Sequence, residues 1–106
     1  MSDYQRETYA VKSGIAADTQ FGSVVPPIYL STNYTFAGFG EKREFDYSRS
    51  GNPTRSTLAG ALAALEGGAG AVFTGSGMGA INLVTALLSS DDLLVAPHDC
   101  YGGTYR

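Results

Sequence analysis

The stretch Ala71-Val72-Phe73-Thr74-Gly75-Ser76-Gly77-Met78-Gly79-Ala80 sets a short apolar run against a loop of alternating glycines. Ala71 to Thr74 reads as a strand, Gly75 to Gly79 as a tight glycine loop, and Ala80 to Leu88 as a helix. Ser89-Ser90-Asp91-Asp92 is a polar turn, and Leu93-Leu94-Val95-Ala96-Pro97 is a second apolar strand. Strand, helix and strand of these lengths predict a right-handed βαβ unit with a parallel pair. A parallel sheet is normally covered on both faces and has more strands than two. The chain is therefore expected to be the front of a larger α/β domain with a mostly parallel sheet, incomplete at Arg106.

Upstream, Leu58, Ala61, Leu62 and Leu65 recur at i, i+3, i+4 and i+7. They predict an amphipathic helix from Thr54 to Glu66, closed by Gly67-Gly68. Asn52 suits its N-cap and Pro53 its first helical position. The division expected is an arm over residues 1–52 and the start of the α/β domain over 53–106. In the arm, Glu7 to Ser13 suits a short helical turn ending at Gly14. Val24 to Leu30 must be extended around Pro26-Pro27, and Ser31 to Phe36 alternates as a β-prone segment. So long a segment with little regular structure makes better sense as an arm wrapping another surface than as part of a core. Seven tyrosines and five phenylalanines in the chain, many of them in the arm, supply contact area for that role.

The 106 residues are 43% hydrophobic and 16% charged, as in a globular protein. A net charge of −3 leaves no basic footprint for nucleic acid or an anionic membrane. No apolar run has the length of a membrane span, and Met1-Ser2-Asp3-Tyr4-Gln5-Arg6-Glu7 has no apolar signal region. One cysteine, Cys100, excludes an internal disulfide and fits a cytoplasmic location.

Asp46-Tyr47-Ser48-Arg49-Ser50-Gly51-Asn52-Pro53-Thr54-Arg55 carries the first candidate site. Tyr47 and Arg49 are expected on one side of an extended segment, offering a hydroxyl and a guanidinium fork to a phosphate or carboxylate, with a plain solvated loop as the alternative. The glycine loop carries the second, because free N–H groups and the helix dipole meet there. Gly75-Ser76-Gly77-Met78-Gly79-Ala80 matches the dinucleotide pattern G-x-G-x-x-G/A, with Asp99 placed as the ribose acid. It equally suits a monophosphate held by Ser76 and the Gly77 and Met78 amides, or a plain strand-to-helix turn. His98-Asp99-Cys100 cannot converge on one point and lacks zinc spacing. Tyr101, at a strand's carboxyl end, suits stacking on a flat ligand or packing over the sheet. Lys12 and Lys42 lie in surface contexts that do not suggest catalysis.

Tyr47-Ser-Arg49-Ser-Gly-Asn-Pro-Thr54, Gly-Ser-Gly77-Met78 and His98-Asp-Cys-Tyr101-Gly-Gly together resemble the cysteine/methionine-metabolism family of pyridoxal-phosphate enzymes. Within it the chain looks most like the bacterial cystathionine γ-synthases, through Ala96 to Gly103 and Phe36-x-Gly-Phe39. The resemblance implies the aspartate aminotransferase-like fold type I and pyridoxal 5'-phosphate as cofactor. It implies that Ser76, Gly77 and Met78 hold the cofactor phosphate, that Tyr101 stacks on the ring and assists catalysis, and that Tyr47 and Arg49 reach the neighbouring subunit's phosphate. Asp46 and Arg106 are implied near the distal end of the substrate. The activity implied is γ-replacement of an O-acylhomoserine, O-succinylhomoserine foremost, by cysteine to give cystathionine for methionine biosynthesis. The same family offers γ-lyase and O-acylhomoserine sulfhydrylase as variants, since Ser50 stands where many O-succinylhomoserine users carry a second arginine. A homotetramer of dimers with shared sites is implied. So is a cofactor-bearing lysine beyond Arg106, so the segment alone is expected to be inactive. A dinucleotide-binding domain and a non-catalytic interaction fragment are the expectations of other classes; the former leaves Tyr47, Arg49 and Tyr101 without a role.

Overall fold

A computed structural model describes residues 4–106. They form two compact units, the first running through Val72 and the second from Phe73 to Arg106.

In the first unit, α1 spans Arg6–Lys12, with Glu7 in its first turn and Lys12 in its last, complementing the helix dipole. Ser13 caps it and Gly14 follows at φ +77°. A Cβ on Gly14 would lie 2.8 Å from Thr57 Cγ2 and 3.1 Å from Pro26 Cγ, so the missing side chain also admits a close approach to the next helix. That helix, α2, spans Pro53–Glu66 as its signals predict. Asn52 accepts from the N–H groups of Thr54 at 2.9 Å and Arg55 at 3.2 Å. At the other end Gly67 adopts φ +67° and its N–H returns to Ala63 and Ala64 carbonyls.

The segment between α1 and α2 is tied to the start of α2. Asn52 Nδ2 donates to the Tyr29 carbonyl at 3.0 Å and to Tyr34 Oη at 3.2 Å, and Tyr29 N–H donates to Thr54 Oγ1 at 2.9 Å. The β-prone segment finds a partner at Asp46–Ser48. Tyr34 N–H donates to the Asp46 carbonyl at 2.9 Å and Ser48 N–H to the Thr32 carbonyl at 2.8 Å, bracketing an antiparallel Asn33–Tyr47 pair. The Tyr34 and Phe45 rings sit 5.7 Å apart beside it.

In the second unit, α3 spans Gly77–Thr85 and the short α4 spans Gly102–Tyr105. The expected helix from Ala80 to Leu88 is thus shifted towards the N-terminus. Ser76 takes the N-cap and accepts from Gly79 N–H at 3.0 Å, which draws three loop residues into the first turn. The last expected turn, after Thr85, loosens into i+3 contacts from Leu87 to Val84 and Leu88 to Thr85.

The predicted parallel pair is absent among the described residues. Neither 71–74 nor 93–97 joins a ladder, and the β-structure among the described residues consists of two isolated bridges in the first unit, Asn33–Tyr47 and Gly38–Glu41. The physical reason is burial. No described residue is buried, and Val72 is 77% exposed, Leu93 86% and Val95 83%. A parallel strand is apolar on both faces and is stabilised when both are covered; these segments have the composition but no cover. The α2 stripe behaves alike, with Leu58 and Leu62 exposed. None of the described helices is long and apolar enough to cross a membrane.

Candidate functional site

The first unit carries the tyrosine–arginine pair. The bridge to Asn33 fixes Tyr47, and Ser48 to Ser50 then turn rather than run extended. Ser50 and Gly51 N–H groups both donate to the Tyr47 carbonyl at 3.0 Å, so the extended conformation expected for Tyr47–Arg49 is corrected to a tight turn. The turn still brings the side chains together. Arg49 Nη2 donates to Tyr47 Oη at 3.1 Å, with its guanidinium carbon 5.3 Å from the ring centroid. Stacked on a ring, the guanidinium keeps most of its donors in a fixed plane, the arrangement that grips phosphate.

Asp46 underlies this turn. Its carboxylate accepts from Ser50 Oγ and Tyr47 N–H, and pairs with Lys42 Nζ at 2.6 Å. The Lys42 hydrogen bond first, then Ser50, hold its pKa down at about 2. Lys42, expected in a surface context, is indeed 65% exposed and nonetheless supplies half of this clasp. Ser50 Oγ is engaged with both Asp46 Oδ1 and the Tyr47 carbonyl, at 2.9 and 2.8 Å.

The second unit brings together the loop residues and Tyr101. Gly77 and Met78 open α3, and among the described residues their N–H groups meet no protein acceptor. Nothing lies within 4 Å of the space a Gly77 Cβ would fill, so the backbone there is open to a ligand. Ser76 uses its oxygen as a cap acceptor, which leaves the hydroxyl proton to donate outward. Tyr101, 73% exposed, is the residue before α4. Thr104 Oγ1, one turn on, donates to Met78 Sδ at 3.6 Å and so ties α4 to the start of α3. The expected Gly102-Gly103 turn is the first turn of that helix. Arg106 ends the segment, its N–H donating to the Gly102 carbonyl at 3.2 Å. Two backbone donors, a hydroxyl and an exposed aromatic ring fit a phosphorylated planar group in chemistry. The described residues hold no cluster of His, Cys, Asp and Glu able to bind a metal.

Residues 7–106 match the family described as Cys/Met metabolism PLP-dependent enzyme. The chain belongs to this family. It is 62% identical over 103 residues, 96% of its length, to the cystathionine gamma-synthase of Escherichia coli (strain K12). It is 47% identical over 94% of its length to a Bacillus subtilis (strain 168) protein named cystathionine gamma-synthase/O-acetylhomoserine (thiol)-lyase. It covers 27% of each of these relatives. The crystal structure of cystathionine gamma synthase from Xanthomonas oryzae pv. oryzae in complex with cystathionine superposes with a TM-score of 0.90. That likeness spans 98% of this chain and 27% of the other, at 57% identity. Membership in a PLP-dependent family leaves the dinucleotide reading of the glycine loop without support. Sequence reasoning overlooked the Lys42–Asp46–Ser50 clasp, whose only signal was a lysine four residues before an aspartate outside any helix.

Proposed function

We propose that the protein is part of a pyridoxal-phosphate-dependent γ-replacement enzyme, a cystathionine γ-synthase that joins an O-acylhomoserine, O-succinylhomoserine foremost, to cysteine. The observation that carries the reading is the pair of unsatisfied Gly77 and Met78 N–H groups at the start of α3, in the unit that also holds the exposed Tyr101 ring. When bound, pyridoxal phosphate supplies an electron sink for negative charge developing on substrate carbons.

The chain's own residues bind and orient. Gly77 and Met78 N–H groups and the Ser76 hydroxyl donate to the cofactor phosphate, with the α3 dipole favouring its charge. Tyr101 stacks on the ring and limits its tilt. Tyr47 and Arg49 present their fork to the phosphate held by a neighbouring subunit, a role that accounts for an aromatic arm with little core of its own. Asp46 and Arg106 serve the distal end of the substrate. The fold proposed for the whole protein is type I, with the apolar segments 71–74 and 93–97 as strands of a mostly parallel sheet covered on both faces. A homotetramer of site-sharing dimers and a cytoplasmic location complete the reading.

A lyase or sulfhydrylase is the second reading, favoured by Ser50 and by the double name of the Bacillus subtilis relative. The deciding experiment supplies the full-length protein and pyridoxal phosphate with O-succinylhomoserine and cysteine. Cystathionine as the main product is expected. Release of an α-keto acid with no cystathionine would overturn the synthase reading in favour of a lyase.

A further inference from the structure

Tyr101 and Gly103 lie two residues apart across the start of α4. A Cβ built on Gly103 would sit 2.6 Å from Tyr101 Cε1 and 3.1 Å from Cδ1, on the edge of the ring. The same point is 3.3 Å from Met78 Sδ. Real Cβ atoms do not approach a ring carbon so closely, so a side chain here must displace the ring, and the nearby sulfur leaves that side chain little room of its own. Gly102, one residue earlier, has nothing within 4 Å of its own Cβ position. Neither glycine has the positive φ that would demand glycine for backbone reasons. Glycine is a poor helix former and alanine the best, so local propensity argues against glycine at position 103. What position 103 gains from lacking a side chain is room for the Tyr101 ring.

We propose that Gly103 is a positioning residue: its missing side chain leaves the Tyr101 ring the orientation it presents to the cofactor, in a space that the Met78 sulfur also borders. The inference rests on the stacking role of Tyr101 proposed above. A ring that no neighbour pushes aside takes up the stacking orientation without a steric cost, which is the sense in which the missing side chain preorganises the site. Met78 thereby acts twice, its N–H donating to the phosphate and its sulfur bounding the space beside the ring.

The test uses the full-length protein and pyridoxal phosphate itself, reading the cofactor dissociation constant and the circular dichroism of its visible absorption band. Gly103→Ala is expected to weaken cofactor binding roughly 2- to 12-fold, the range of one aromatic stacking contact, and to change the induced dichroism. Gly102→Ala is expected to leave both as they are. The double variant Tyr101→Ala/Gly103→Ala should match Tyr101→Ala alone, because with the ring gone the added methyl meets only the Met78 sulfur at 3.3 Å, the end of a flexible side chain that yields by a few tenths of an ångström. A double variant clearly worse than Tyr101→Ala would mean that the methyl damages the fold elsewhere, and would overturn the proposal. If Tyr101→Ala shifts both signals and Gly103→Ala neither, this inference fails while the stacking role stands. If Tyr101→Ala itself shifts neither, the stacking role fails and this inference with it.

Discussion

Replacing Asn52 separates two jobs performed by one side chain. Its Oδ1 accepts from Thr54 and Arg55 N–H groups, and its Nδ2 donates to the Tyr29 carbonyl and Tyr34 Oη. Asn52→Ala removes both. Loss of an N-cap costs about 1 kcal/mol, with a range of roughly 0.5–2. One to two kcal/mol corresponds to roughly a 5- to 30-fold rise in local opening. Asn52→Asp keeps the acceptor, adds a charge the helix start favours, and removes only the donations to the arm. Hydrogen exchange on the full-length protein reads the two jobs separately. With Ala, the Thr54 and Arg55 amides should exchange roughly 5- to 30-fold faster. With Asp they should keep their protection, while the Tyr29 amide, bonded to Thr54 Oγ1, exchanges faster as the arm loosens. Thr54 and Arg55 amides unmoved by Ala, or moved equally by Asp, would refute the assignment of Asn52 as the cap.

Gly14→Ala should destabilise the junction of α1 and α2. A left-handed backbone costs an L-residue about 1–2 kcal/mol, and overpacking against Thr57 adds about 1–3. A fall in the urea midpoint, recovered in part by adding Thr57→Ser, is the expected outcome; an unchanged midpoint would contradict the 2.8 Å approach. Asp46 makes a prediction about pH. Its folded pKa lies near 2, below the usual carboxylate range, so its contribution to stability is fully present above about pH 4 and is lost as pH falls towards the folded value. Carbon NMR of the Asp46 carboxyl should show Lys42→Met raising that pKa, and high salt doing so in part. An unmoved titration would remove Lys42 from the clasp.

How far the sequence revealed these features depended on how local their causes are. The α2 helix was legible because Asn52, Pro53 and Gly67 act within a turn of themselves. The start of α3 was misplaced although its signal was present: Ser76 is an N-cap, and reading Gly77 to Gly79 as loop ignored it. The strands at 71–74 and 93–97 had the right composition, yet a parallel ladder depends on partners and cover remote in sequence, which no window of residues reports. Tyr47 and Arg49 were recognisable as a pair, though they meet through a turn and not along a strand. The space that Gly103 leaves for Tyr101 was invisible, because Met78, which also borders it, lies in another helix.

Asn52 has one further property, and it concerns chemical ageing. Asparagine side chains deamidate when the backbone nitrogen of the next residue attacks the amide carbonyl and closes a five-membered imide. The next residue here is Pro53, whose ring nitrogen has no proton to give up. That route is closed at Asn52. Conversion to aspartate would replace the donors facing the Tyr29 carbonyl with an anion, so the proline that opens the helix also preserves the amide that holds the arm against it.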